Sequence, residues 1–315
     1  MKQYVTIIKI LISIGVLTFL FYKVDYALFW ENLLKIKASI FIAAFAILLI
    51  QCALSTLKWK VILSAESKDI PYLYLLKSYL IGNFISLFLP SSFGGDIYRV
   101  YSLKDYSQDY FKNTSSVLFD RITGLFALLS ISILSFAIFS RSVIDLRVIV
   151  IYVFGIIIFW AITAQRVLDY FEKFKSKLIE FPWRILKSFR QYRRNYKILL
   201  SCLILSFIFQ SNIVFLNKIY TVALQMDVNI GYLFTVIPLV YLTEALPISI
   251  NGLGVREGAF VFFMKQIGIT TEQGLALGIL VISMRYLFTM LLGGSLFLVT
   301  VLKAKVRTKT RENLI

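Results

Sequence analysis

Long apolar runs separated by short polar breaks occupy most of this chain. Those at roughly 4–22, 38–57, 113–139, 143–164, 198–217 and 274–302 are each near the ~20 residues a helix needs to cross a bilayer, and 230–248 is apolar enough to join them. Two stretches interrupt the pattern. Between 71 and 112, Lys77, Asn83, Pro90, Gly94, Gly95, Asp96 and Arg99 break the run before a plain helix crosses. Between 230 and 268, Glu244, Pro247, Asn251, Gly252, Gly254, Arg256 and Glu257 sit between two apolar arms. Backbone that leaves the helix at membrane depth survives only where protein or a water-filled cavity satisfies it, so each stretch predicts a broken or re-entrant helix pair. The expected architecture is all-α: a polytopic integral membrane helical bundle of about eight helices in a single transmembrane domain, 1–315.

The two breaks share one pattern, P-x-S-x-x-G-x-x-x-R. Pro90/Pro247, Ser92/Ser249, Gly95/Gly252 and Arg99/Arg256 are each 157 positions apart without a gap. Proline removes a backbone donor and glycine tolerates open dihedrals, so Pro90 with Gly94 and Gly95, or Pro247 with Gly252 and Gly254, ends one half-helix and starts another. A half-helix starting near Asp96 or Val255 points its N–H groups and positive dipole end at whatever fills the break, which suits an anion. Arg99 and Arg256 follow about one turn later, and a guanidinium fork matches phosphate. Val117-Leu-Phe-Asp-Arg121 and Val281-Ile-Ser-Met-Arg285 then place a second arginine in the span after each motif.

Composition agrees with a lipid solvent: 59% of residues are hydrophobic and 16% charged. Lys2 and Lys9 precede an apolar run with no small-x-small cleavage site after it, so the first helix is expected to be retained. Charge sums to +17 and is concentrated between 166 and 197, where ten lysines and arginines face Asp169, Glu172 and Glu180. By the positive-inside rule this is a cytoplasmic loop, and its apolar residues near helical spacing predict an amphipathic segment lying on anionic inner-leaflet lipid. Nucleic-acid binding, the other use of such charge, is unfavoured because membrane spans flank the loop.

The N-terminal end, Lys58 with Lys60, the loop and the tail from Lys303 to Arg311 all read as cytoplasmic, which places both termini inside a multi-pass protein of the cell membrane. On that count the two motifs enter the bilayer from opposite faces. The expected halves, about 1–164 and 198–302 joined by 165–197, then form an inverted internal repeat, as in many transporters. Lys23, Lys35 and Lys37 fall outside and oppose the count.

Histidine is absent, which removes the commonest general base, and Cys52 and Cys202 have no C-x-x-C partner, so no cofactor or metal site is expected. The substrate-site candidates are Ser92, Gly94, Gly95, Asp96, Arg99, Asp120, Arg121, Glu244, Ser249, Asn251, Gly252, Gly254, Arg256, Glu257 and Arg285. They admit two readings: a phosphate clamp, or internal ion pairs (Asp96/Arg99, Asp120/Arg121, Arg256/Glu257) that let broken helices sit in lipid. A charge at the bilayer centre costs about 2.5 to 3.5 kcal/mol on insertion scales, which weighs against so many serving structure alone. Glu244 reads equally as a proton or cation site and as a partner of Arg256 or Arg285. Tyr79, Tyr98, Tyr101, Tyr241 and Tyr286 read as interfacial or packing aromatics.

Leu89-Pro-Ser-Ser-Phe-Gly-Gly-Asp-Ile-Tyr-Arg99, Asp120-Arg-Ile-Thr-Gly124 and Leu246-Pro-Ile-Ser-Ile-Asn-Gly-Leu-Gly-Val-Arg-Glu-Gly258, in that order, resemble the signature segments of the flippase-like family, which includes the transmembrane region of lysylphosphatidylglycerol synthases. The resemblance implies an integral membrane bundle of about eight or more helices, a family whose best-understood members move aminoacylated phosphatidylglycerol between leaflets. It also implies a stand-alone member without the soluble synthase domain, whose lipid does not carry over. The leading expectation is a lipid translocase with a phosphate headgroup held by Arg99 and Arg256. The alternatives are a glycosyltransferase using a polyprenyl-phosphate sugar, with Asp96, Glu244 or Glu257 as base, and a membrane partner of a separate lipid-modifying or glycan-assembly enzyme.

Overall fold

The computed structural model describes residues 2–22, 25–34, 36–65, 69–89, 94–139, 192, 195–245 and 249–312. The expected span at 143–164, most of the basic loop at 165–197, and Pro90, Ser92 and Pro247 lie outside the described residues. Among those described, every regular element is helical. The helices are α1 (Lys2–Tyr22), α2 (Tyr26–Leu34), α3 (Ala38–Ser64), α4 (Tyr72–Phe88), α5 (Gly94–Ser102), α6 (Tyr110–Phe139), α7 (Tyr196–Ala223), α8 (Ile230–Ala245), α9 (Val255–Lys265) and α10 (Thr271–Phe288). A π-helical turn, Thr289–Gly294, carries α10 into α11 (Ser295–Glu312).

Four of these are long and apolar enough to cross a membrane: α3, α6, α7 and the continuous stretch Thr271–Lys303. A fifth is added if α1 and α2, which meet at 96°, form one bent span. The apolar run at 230–248 yields a helix of only 16 residues, α8. At 1.5 Å per residue this described part spans ~24 Å of the ~30 Å hydrocarbon core, and 246–248 lie outside the described residues. The other break falls where Pro90 and its glycines predict it, with α4 ending at Phe88 and α5 starting at Gly94.

The long helices form the frame: α3 lies along α7 and also packs on α4 and α6, while α7 packs on α6 and α8. The short pairs fold back on themselves, α4 against α5 and α8 against α9. Each pair then leans on a long helix of the other half of the chain, α8 on α6 and α4 on the π turn. The core follows these contacts, with Val214, Leu233, Val236, Val240, Phe260, Leu275 and Leu277 fully buried. Ile42, Leu49, Leu134, Ile138, Leu200 and Ile204 stay exposed on the spans, as expected of faces that meet lipid.

Two close approaches depend on glycine. A Cβ on Gly95 would lie 2.5 Å from the Gly82 carbonyl oxygen, so α4 and α5 touch backbone to backbone. One on Gly293 would lie 2.4 Å from the Leu80 carbonyl oxygen, which fixes the π turn against α4. Small residues at such crossings let helices approach where lipid supplies no hydrophobic drive for association.

Candidate functional site: two arginine–carboxylate–arginine bridges around one cavity

The first break is closed by Ser86, whose hydroxyl near the end of α4 accepts the Gly95 N–H at 2.7 Å. That fixes the first turn of α5, with Asp96 in it and Arg99 one turn on. Arg99, with 5% of its side chain exposed, donates to Asp120 of α6 at 3.0 Å and pairs with Asp96 at 3.4 Å. Its guanidinium lies 4.3 Å from the Trp59 ring centre and 4.9 Å from that of Tyr79, so aromatic faces cover what the carboxylates do not. Asp120 gives its other oxygen to Lys58 of α3 at 2.9 Å, and Lys58 also donates to the Asp120 carbonyl and the Ser206 hydroxyl. The remaining oxygen of Asp96 pairs with Arg121 Nε.

At the second break Asn251, Gly252 and Gly254 all take positive φ, 49°, 78° and 81°. Asn251 turns its amide across to the first break and donates to the Ser86 carbonyl at 3.1 Å, capping α4. Glu257 accepts the Gly254 N–H at 2.6 Å with one oxygen and holds Arg256 with the other at 2.7 Å, so one carboxylate caps α9 and neutralises its arginine. The Arg256 side chain is fully buried. Glu244 bridges Arg256 at 3.3 Å and Arg285 at 2.7 Å, one oxygen each.

Both halves of the chain therefore carry the same chemistry: a buried arginine, a carboxylate, and an outer arginine. In one the chain runs Arg99–Asp96–Arg121, in the other Arg256–Glu244–Arg285. The outer pair is far more accessible, with 38% of the Arg121 and 31% of the Arg285 side chain exposed. Arg121 and Arg285 line one cavity of ≈ 420 Å³ together with Glu244, Asn251, Gln51, Gln210, Asn83, Ser86, Tyr79, Tyr241 and Tyr286. Helices α3, α4, α6, α7, α8 and α10 all contribute to its wall.

The candidates thus separate into roles. Glu244, Asn251, Arg121 and Arg285 reach the cavity; Asp96, Arg99, Asp120, Arg256 and Glu257 stand behind it as paired charges. Gly94, Gly95, Gly252 and Gly254 shape the breaks, and Ser249 is buried with its hydroxyl unpartnered among the described residues. The pairing Asp120/Arg121 expected from sequence does not form, because adjacent helix positions point about 100° apart. Asp120 faces Lys58 and Arg99, while Arg121 faces Asp96. Lys58, expected to mark a cytoplasmic loop, lies inside α3 and is buried, since the helix continues to Ser64. Tyr79, Tyr241 and Tyr286, read as packing aromatics, line the cavity. Sequence reasoning missed Gln51, Ser86 and Gln210 and took Asn83 only as an interruption of an apolar run; the available signal was an amide at matching depth, Gln51 thirteen residues after Ala38 and Gln210 fourteen after Tyr196.

A helical integral membrane protein whose charges are buried in pairs around an inner cavity is the class that this fold and site define. Within it, the chain belongs to the family described as the lysylphosphatidylglycerol synthase TM region, whose model matches residues 6–293. That membership points to a membrane lipid-related function. The chain matched no curated protein and no solved structure.

Proposed function

We propose that the protein is a lipid translocase that takes an anionic, phosphate-bearing headgroup into the cavity and leaves the acyl chains in lipid. The observation that carries this is the doubled bridge. When Arg121 and Arg285 turn their guanidinium groups to a phosphate, Asp96 keeps Arg99 and Glu244 keeps Arg256, so no carboxylate is stranded unpaired in a buried place. The outer arginines are the phosphate ligands, and Arg99 and Arg256 are the braces that let them move. Catalysis is the weaker reading, because Asp96, Glu244 and Glu257 are each engaged by arginine and none stands open as a base.

An inverted repeat supports alternating access. The order long helix, short pair, long helix occurs twice, as α3 to α6 and as α7 to α10, and the contacts match: α3–α4 with α7–α8, α4–α5 with α8–α9, α5–α6 with α9–α10. Rocking one half against the other opens the cavity to each leaflet of the cell membrane in turn. The basic 166–197 segment holds the cytoplasmic face, with both termini, on anionic lipid.

The test is lipid movement in vesicles carrying the purified protein, read by quenching of acyl-labelled phosphatidylglycerol, with single cysteines at the two breaks labelled from either side to fix the sidedness. Charged hydrogen bonds are worth about 1.5 to 3 kcal/mol each, so Arg121→Gln with Arg285→Gln is expected to slow movement at least about tenfold. A folded double variant that moves lipid at the wild-type rate would falsify the assignment.

A further inference from the structure

Helix α4 ends with a carbonyl that its own backbone cannot serve. A helical bond to the Ser86 carbonyl would come from the N–H of residue 90, which is proline and has none. The donor comes from the other half of the chain: Asn251, in the turn before α9, gives its side-chain amide to the Ser86 carbonyl at 3.1 Å and, at 3.4 Å, to that of Leu89. Ser86 also accepts the Gly95 N–H on its hydroxyl, so one residue joins α4, the start of α5 and the second break. The shift of 157 that aligns the motifs sets Gly94 opposite Asn251, so no side chain at that position returns the bond.

The turn that presents Asn251 is under strain. Asn251 and Gln225 are the non-glycine residues with positive φ among those described, at 49° and 56°, and the buried Ser249 hydroxyl two residues before Asn251 has no partner among them. Such features gather in segments that switch. Helix α1 holds the same turn through the Ser13 hydroxyl, which accepts the Ile250 N–H at 3.1 Å. Gly252 rests on the charge network: a Cβ there would lie 2.9 Å from Glu244 Cγ, and Glu244 bridges Arg256 and Arg285. Ser86, Asn251, Glu244 and Arg285 all border the one cavity.

We infer that Asn251 is a latch between the two halves: its amide fills the place that Pro90 leaves without a donor, ties the breaks together at the cavity wall, and lets go when the halves rock. This rests on the translocase reading for the movement that the latch controls. Loading acts on it through Glu244. When Arg285 turns to a phosphate, the side chain beside Gly252 loses one of its two arginines, and the turn carrying Asn251 loosens with it. Water in the opened cavity then serves the Ser86 carbonyl.

Glycine accepts the positive φ, so Asn251→Gly removes the amide and keeps the backbone of the turn. The reporter is Cys52, which lines the cavity, in protein whose other thiol is removed by Cys202→Ala. A hydrogen bond shifts an opening equilibrium by roughly three- to tenfold, and Cys52 in phosphatidylglycerol vesicles is expected to react faster by that factor with a membrane-impermeant methanethiosulfonate present on both sides. A second protein, without Cys52 and Cys202, carries Leu89→Cys and Asn251→Cys. Closing that pair by oxidation is expected to stop the movement of acyl-labelled phosphatidylglycerol, and reduction to restore it, a reversal that a merely damaged fold does not show. Unchanged Cys52 reactivity in Asn251→Gly, or lipid movement at one rate in the oxidised and reduced pair, overturns the latch and leaves translocation standing. Faster Cys52 reaction in a protein whose Asn251 parent moves no lipid supports the latch and overturns translocation.

Discussion

At Asp120 one carboxylate serves two cations from two other helices, Lys58 of α3 at 2.9 Å and Arg99 of α5 at 3.0 Å. Breaking a buried pair from one side strands a charge and costs about 3 to 5 kcal/mol, so Asp120→Asn is expected to lower the thermal unfolding midpoint of the detergent-purified protein sharply. Lys58→Met should cost less, because Asp120 keeps Arg99. Equal losses in the two variants would show that Lys58 and Arg99 do not share the carboxylate. The arginines themselves were legible in the sequence as a repeat in an oily chain. Which of them reaches the cavity was not, since that depends on the helical angle between neighbours such as Asp120 and Arg121. The motif drew attention to Arg99 and Arg256, which are the inner members; Arg121 and Arg285, one helix further on, are the outer ones.

The breaks between helices are where proline and glycine spoke plainly, and both fall where those residues put them. Less visible was how the two breaks obtain the same chemistry from unlike positions. A shift of 157 aligns Asp96 with Leu253 and Glu244 with Leu87, so no comparison of the motifs finds the bridging carboxylates as a pair. One sits after its break, on α5, and the other before its break, on α8. The second break also has a stricter backbone. Gly254 combines φ of +81° with a would-be Cβ only 2.9 Å from the Ser13 carbonyl oxygen of α1, whereas Gly268 has the same φ and open space around it. Positive φ costs a non-glycine residue roughly 1 to 2 kcal/mol, so Gly268→Ala should show that loss alone and Gly254→Ala visibly more, by thermal unfolding. Matching losses would mean that α1 yields at no cost.

For the molecule as a whole, apolar run lengths located α3, α6, α7 and the stretch Thr271–Lys303, the described helices long and apolar enough to cross, while the run at 143–164 lies outside the described residues. Of the run at 230–248 the described residues show helix from Ile230 to Ala245, with Glu244 inside it. The cavity could not be read at all, because it is assembled from six helices whose amides and tyrosines are far apart in sequence. Among the described residues Lys58, Arg99, Arg121, Arg256 and Arg285 outnumber Asp96, Asp120, Glu244 and Glu257 by one positive charge, and on the translocase proposal that charge has an electrical side. With a monoanionic headgroup aboard the site is neutral, and rocking the halves moves no net charge through the membrane field. Empty, the same movement carries one charge, worth about 2.3 kcal/mol per 100 mV if it crosses the whole field. Voltage then acts on the unloaded return. An imposed potassium-diffusion potential should change the rate of one-way phosphatidylglycerol movement and leave exchange between two filled leaflets untouched; an equal response in both would mean that the headgroup does not neutralise the site. Such a protein would take its direction from the cell's standing voltage.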